Sequence, residues 1–216
     1  MVALYERFRP TALAELVGQE PPIKAMLRMH DDGGWGGRVF LITGPSGSGK
    51  TTLARIVAAD VSEPYATHEI DAQDVTMELC RQWEDWFVTR PIGTKPTHCV
   101  IVNECHGLST KVVSRLQTTL ELPHIQRTST WCFTTTNKGQ RKLFDEKFDG
   151  MPFLSRAIHI RLNKPNEMAV ALHLRGIAQQ LDLDGQPLEA YIALAKRCEC
   201  NFRAALNAIE GGEMLS

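Results

Sequence analysis

The chain has 216 residues, enough for one large or two small domains with a real core. Hydrophobic residues make up 43% and charged residues 23%, an ordinary globular composition, and no apolar run is long enough for a membrane span. A formal net charge of −1 excludes nucleic-acid binding driven by bulk charge and leaves only a local basic face for it.

The N-terminus "MVALYERFRP" carries charges where a signal peptide needs an apolar core. "GGWGG" (33–37) reads as a short flexible loop before a first strand, "VFLIT" (39–43). Four more strands are predicted at "THEID" (67–71), "HCVIV" (98–102), "WCFTT" (131–135) and "AIHIR" (157–161). Three of the five are apolar without strict alternation, the pattern of strands covered on both faces. Helices fall between them. Leu53, Ile56 and Val57 recur at helical spacing after the first strand, and "VTMELCRQWEDWFVTR" puts Met77, Cys80, Trp83, Trp86 and Phe87 on one stripe. Those tryptophans fit core packing better than base stacking. "STKVVSRLQTTLEL" follows the third strand with Ser109 as its N-cap. This alternation predicts an α/β fold, a five-stranded parallel sheet with helices on both sides. After Leu162 the pattern changes to three consecutive helices, with "NKPN" (163–166) as the break. The division expected is therefore a nucleotide-binding α/β domain at 1–162 and a small three-helix lid domain at 163–216.

The six cysteines include no CxxC pair, which argues against zinc. Cys99 and Cys132 lie in apolar runs and read as small core residues in a reducing, cytoplasmic setting.

The strongest chemical signal is "GPSGSGKTT" (44–52), which follows the first strand and opens a helix. It satisfies G-x-x-x-x-G-K-[ST], the P-loop pattern. Gly44, Pro45, Ser46, Gly47, Ser48 and Gly49 form a backbone wrap whose N–H groups can point at an anion, and the helix start adds positive potential. Lys50 neutralises the outer phosphates. Thr51 offers a hydroxyl to magnesium, and Thr52 follows it into the helix. A P-loop protein needs a second strand end, and "CVIVNECHG" supplies it. Glu104 is placed to polarise an attacking water. Asn103 stands where an aspartate commonly holds magnesium's water shell; its amide oxygen accepts hydrogen bonds without a full charge.

"YERFRPTALAELVGQE" (5–20), the P-loop, "VIVNECHGLS", "FTTTN" (133–137), "FLSRAIHI" (153–160) and "NFRAALNAI" (201–209) occur in the order of an AAA+ ATPase of the clamp-loader clade. The chain resembles the replication factor C small subunit and its phage counterparts along nearly its whole length. The resemblance implies ATP and Mg2+ as cofactors, with Val17 and Gly18 lining the adenine pocket. It implies that Asn137 helps orient the water and that Arg203 reaches from the lid to its own subunit's phosphates. Arg156, in "LSR", would complete a neighbouring subunit's site in trans; Ala157 stands where the family has cysteine. A surface arginine at 156 and a packing residue at 203 are the plainer alternatives. His106 matches the family's "DEXH" variant and reads as a solvated or packed histidine. Ser109, Thr110 and Lys111 suit contact with DNA phosphates, or equally a plain N-cap with an exposed lysine.

The partners implied are other AAA+ subunits, DNA and a sliding clamp. The family's C-terminal collar has no counterpart here, which points to weak assembly through the ATPase modules and to a phage or mobile element as source. The leading expectation is an ATPase coupling nucleotide to remodelling on DNA. An ATP-binding scaffold with little hydrolysis is the alternative that Asn103 favours. A branch-migration motor of the Holliday-junction type is a third, and it should carry a winged helix after the lid.

Overall fold

The computed structural model describes residues 2–95, 97–136 and 156–215. Five strands form one parallel sheet: β1 (Val39–Gly44), β2 (Thr67–Asp71), β3 (His98–Asn103), β4 (Ser129–Thr136) and β5 (Ile158–Arg161), in the order β2-β3-β4-β1-β5. Every one of the five expected strands is present. β4 starts two residues early because Ser129 and Thr130 pair with His98 and Cys99 of β3.

The helices described are α1 (Leu4–Arg7), α2 (Glu20–Asp31), α3 (Lys50–Val61), α4 (Met77–Trp86), α5 (Thr110–Glu121), α6 (Pro123–Thr128), α7 (Glu167–Gln180), α8 (Leu188–Arg197) and α9 (Phe202–Glu210). None is long and apolar enough to cross a membrane. α2 and α6 were not expected from the sequence. Both begin with proline in the first turn, where its missing N–H and fixed φ cost nothing.

Both faces of the sheet are buried, and successive strand residues go to opposite sides. Leu41, Val100, Val102, Trp131 and Phe133 pack with Trp83 of α4, Phe87 just after it and Leu116 of α5. Phe40, Ile42, Cys99, Ile101 and Cys132 pack with Met26, Leu53 and Val57 from α2 and α3. Trp83 is fully buried and Trp86 half-buried, so the tryptophan stripe is core. The 33–37 loop is pinned rather than loose. Trp35 is buried and donates its ring N–H to the Met26 carbonyl at 2.9 Å. Gly37, at φ 74°, passes so close to α6 that a Cβ would lie 2.6 Å from the Gln126 carbonyl oxygen.

A third core holds Val170, Leu174, Tyr191, Leu194 and Leu206 from α7, α8 and α9, joined by Leu4 of α1. Asn166 caps α7 by accepting from the Met168 N–H at 2.8 Å. Gln19 ties the segment before α7 down with paired bonds to the Asn163 carbonyl (2.8 Å) and N–H (3.0 Å).

Candidate nucleotide site

The C-terminal ends of β1, β2 and β3, the start of α3, the N-terminal segment and α9 surround a cavity of about 430 Å³. Such a place, outside the carboxyl ends of parallel strands, is where open α/β sheets take ligands.

The loop between β1 and α3 is built by glycine. Gly47 and Gly49 sit at φ 74° and 94°, a region costly for residues with a Cβ. At Gly47 a Cβ would also lie 2.4 Å from the Asn201 side chain, so the loop and the N-cap of α9 touch. Ser46, Gly47, Ser48, Gly49, Lys50, Thr51 and Thr52 line the cavity. Gly44 and Pro45 stand behind it. A Cβ on Gly44 would meet the Leu162 carbonyl at 2.8 Å, and Pro45 contributes its carbonyl as the acceptor for Lys50 Nζ at 2.9 Å.

Lys50 opens α3 and is buried. Burial lowers its pKa, and the nearby Glu104 charge opposes that shift. Among the described residues no carboxylate lies within ion-pair distance of it. Ser48 Oγ is buried with no hydrogen-bond partner. Ser48 Oγ points back toward Gly44, while the buried Lys50 ammonium, without a carboxylate partner, and the N-terminus of α3 border the cavity. That donor set fits a polyphosphate.

Thr51 and Asn103 meet directly: the Thr51 hydroxyl donates to Asn103 Oδ1 at 2.9 Å. Thr134 donates to the same oxygen at 3.1 Å, and Asn103 Nδ2 donates to Glu69 Oε1 at 3.0 Å. Glu69 is gripped by Arg55 through Nε (2.6 Å) and a terminal nitrogen (3.0 Å). The hydroxyl and amide oxygens fit a magnesium ion and its waters.

Glu104 follows at φ 49°, ψ 49°, a left-handed conformation rare for a residue with a side chain. Its carboxylate lines the cavity, 49% exposed, with Oε2 3.4 Å from His106 Nδ1. His106 Nδ1 also lies 3.0 Å from the Thr135 hydroxyl. This histidine is thus packed against the carboxylate, which spacing alone had not placed.

Arg203 lines the cavity from α9 with its guanidinium 5.2 Å from the Tyr5 ring centroid. Val17 lines it too. Gly18 does not. It turns at φ 69° against Pro165, where a Cβ would lie 2.8 Å from Pro165 Cβ. Arg156 lies away from the cavity, 65% exposed, with one ion pair to Glu121 at 3.0 Å. Asn137 falls outside the described residues. Ser109 caps α5 by accepting from the Val112 N–H at 3.4 Å, and Thr110 and Lys111 are exposed beside it. Sequence reasoning missed Arg9, Arg55, Glu69, Asp71, His173 and Asn201 in the cavity wall. Arg9 and Asn201 lie inside "YERFRPTALAELVGQE" and "NFRAALNAI", stretches that carried the resemblance, but neither was singled out.

The family model for the ATPase family associated with various cellular activities (AAA) matches residues 40–148, half of the chain. The chain belongs to the AAA family. This AAA chain is 43% identical to DNA polymerase III subunit gamma/tau of Mycobacterium tuberculosis over 61 residues, 28% of the chain and 10% of that protein. It is 34% identical to the replication factor C large subunit of Methanocella arvoryzae over 70 residues, 32% of the chain and 12% of that protein. The resemblance to the clamp-loader clade holds in these relatives, although the chain spans only about a tenth of their length. The Holliday junction branch migration motor RuvB of Thermotoga maritima has the same AAA fold. Its TM-score is 0.69 at 22% identity, over 94% of this chain and 64% of that one.

Proposed function

We propose that the protein binds ATP with magnesium in this cavity and hydrolyses it, in a clamp-loader-like role on DNA. The observation that carries the reading is the Thr51–Asn103 hydrogen bond. It joins the phosphate loop to the end of β3 with a hydroxyl and an amide oxygen side by side.

The roles follow from the chemistry of each group. Lys50 and the loop N–H groups hold the phosphates. Magnesium, when bound, neutralises phosphate charge; Thr51 would hold it directly and Asn103 through water. Glu104 accepts a proton from, or orients, the attacking water. Arg203 brings positive charge to the phosphates from residues 163–216, acting as a lid on the α/β part at 1–162. The exposed Arg156 acts on a neighbouring subunit's site, and Asn137 positions water. Ser109, Thr110 and Lys111 meet DNA phosphates. The partners are further AAA+ subunits, DNA and a sliding clamp.

Steady-state phosphate release, measured alone, with primed-template DNA and with a four-way junction, tests this. Turnover stimulated by primed template is expected. Stimulation by the junction alone would assign a branch-migration role instead, and tight ATP binding without turnover would make the protein an ATP-binding scaffold.

A further inference from the structure

Asn103 raises a problem of orientation that aspartate does not. A carboxylate offers two equivalent oxygens, whereas an amide offers one acceptor and one donor. An NH2 group turned toward Thr51 would put a donor where the waters of a bound cation need an acceptor.

The neighbours of Asn103 decide which way it lies. Thr51 and Thr134 are hydroxyls, able to donate or accept, so neither distinguishes the two ends of the amide. Glu69 does. Its carboxylate only accepts, and it lies 3.0 Å from Asn103 Nδ2. The NH2 group must therefore face β2, and Oδ1 is left for Thr51. Strand register makes this contact: Asp71 of β2 stands opposite Asn103 of β3, and Glu69 is two residues earlier on the same face. Arg55 holds the Glu69 carboxylate in place from α3.

We propose that Glu69 is a positioning residue for the magnesium side of the site: it fixes the Asn103 amide so that oxygen, not NH2, faces Thr51. This rests on reading the cavity as a magnesium–ATP site. It makes Asn103 and Glu69 one functional unit joined across two strands. Where residue 103 is a carboxylate, the same Glu69 has no orientation to impose.

The test is a double-mutant cycle read by Mg2+ titration of protein saturated with a fluorescent ATP analogue, without reference to turnover. Glu69→Gln keeps the shape of the side chain but pairs with either end of the amide. It is expected to raise the Mg2+ concentration for half-saturation about tenfold, the scale on which outer partners of metal ligands act. Analogue binding without Mg2+ stays as in the wild type. In the Asn103→Asp background the same substitution is expected to change the Mg2+ requirement by less than about threefold. Equal losses in both backgrounds would overturn the proposal, since Glu69 would then act through its charge alone. Arg55→Gln is the second variant. It keeps the carboxylate within reach of Asn103 Nδ2 but frees it from Arg55, and is expected to raise the Mg2+ requirement by less than Glu69→Gln does. A loss matching Glu69→Gln in both backgrounds would assign the effect to the Arg55 ion pair. Analogue binding that ignores Mg2+ in the wild type would overturn the magnesium–ATP reading itself, and this proposal with it.

Discussion

The two ends of β3 lie one strand apart and are built on opposite principles. At the first residue, the His98 ring sits 4.3 Å from Trp86 and 5.4 Å from Phe87, centroid to centroid, and Phe87 meets Trp131 edge-on at 5.6 Å. His98 Nε2 faces the Thr89 carbonyl at 2.8 Å, so it carries the proton. At the last residue, Asn103 and Glu104 border an open cavity beside the buried, unpaired charge of Lys50. One end is closed by aromatic packing and serves stability. The other opens on the cavity, where the Lys50 ammonium has no carboxylate partner among the described residues and the Glu104 carboxylate is half exposed, and these are the charges a ligand would meet. Substitutions at the two ends should therefore separate stability from function.

The largest effect is expected at the closed end. Trp131→Ala empties a fully buried aromatic site and is expected to cost about 3–5 kcal/mol in urea unfolding. The folded fraction should bind ATP as the wild type does; weaker binding per folded molecule would break the separation. At the open end, Lys50→Ala is expected to weaken ATP binding at least about tenfold, or ~1.4 kcal/mol. It should not lower the melting temperature without nucleotide, because it removes a charge that burial already disfavours. Unchanged ATP affinity would remove the phosphate-loop assignment.

Arg156→Ala breaks an exposed ion pair and is expected to change stability by less than about 1 kcal/mol. DNA-stimulated turnover should nonetheless fall. Mixing this variant with Lys50→Ala subunits should restore part of it. No rescue where mixed oligomers demonstrably form would return Arg156 to a surface role.

The smallest effect is one of pH. Burial lowers the pKa of His98 and of His68, whose Nδ1 accepts from the Trp83 ring N–H at 2.9 Å. Below the ordinary histidine value the unfolded chain takes up protons that the native state resists. Stability is thus expected to fall as pH drops through that range and to be flat above it. Urea titrations across pH 5–8 check this, and His98→Gln should flatten the slope.

How much was legible followed from how local each feature is. The phosphate loop occupies nine successive residues, so composition and order alone disclose it. The three inner strands, β1, β3 and β4, showed as short apolar runs because both sheet faces are covered there. α2 was hidden because Pro21 and Pro22 look like a break, although the first helical turn accepts them. Trp35 gave no sign that its loop is anchored, since the Met26 carbonyl it reaches lies in that unrecognised helix. The Glu69–Asn103 contact spans 34 residues and exists only because β2 and β3 pair in one register. A motif names Asn103; only the sheet shows what turns its amide. Gly18 was placed in the cavity by resemblance, whereas packing against Pro165 uses it instead.

Whether Asn103 and Glu104 form a working site is decided by comparing the wild type with Glu104→Gln in a steady-state phosphate-release assay. Saturating Mg2+ and primed DNA are present in both arms. Glu104→Gln leaves the phosphate loop and the Thr51–Asn103 bond untouched and removes only the acceptor charge beside His106. Wild-type turnover is expected to exceed that of the variant by roughly a hundredfold, the scale of a positioned general base, while both bind ATP equally. Equal, negligible turnover in the two proteins would contradict a hydrolytic site and leave a nucleotide-binding scaffold.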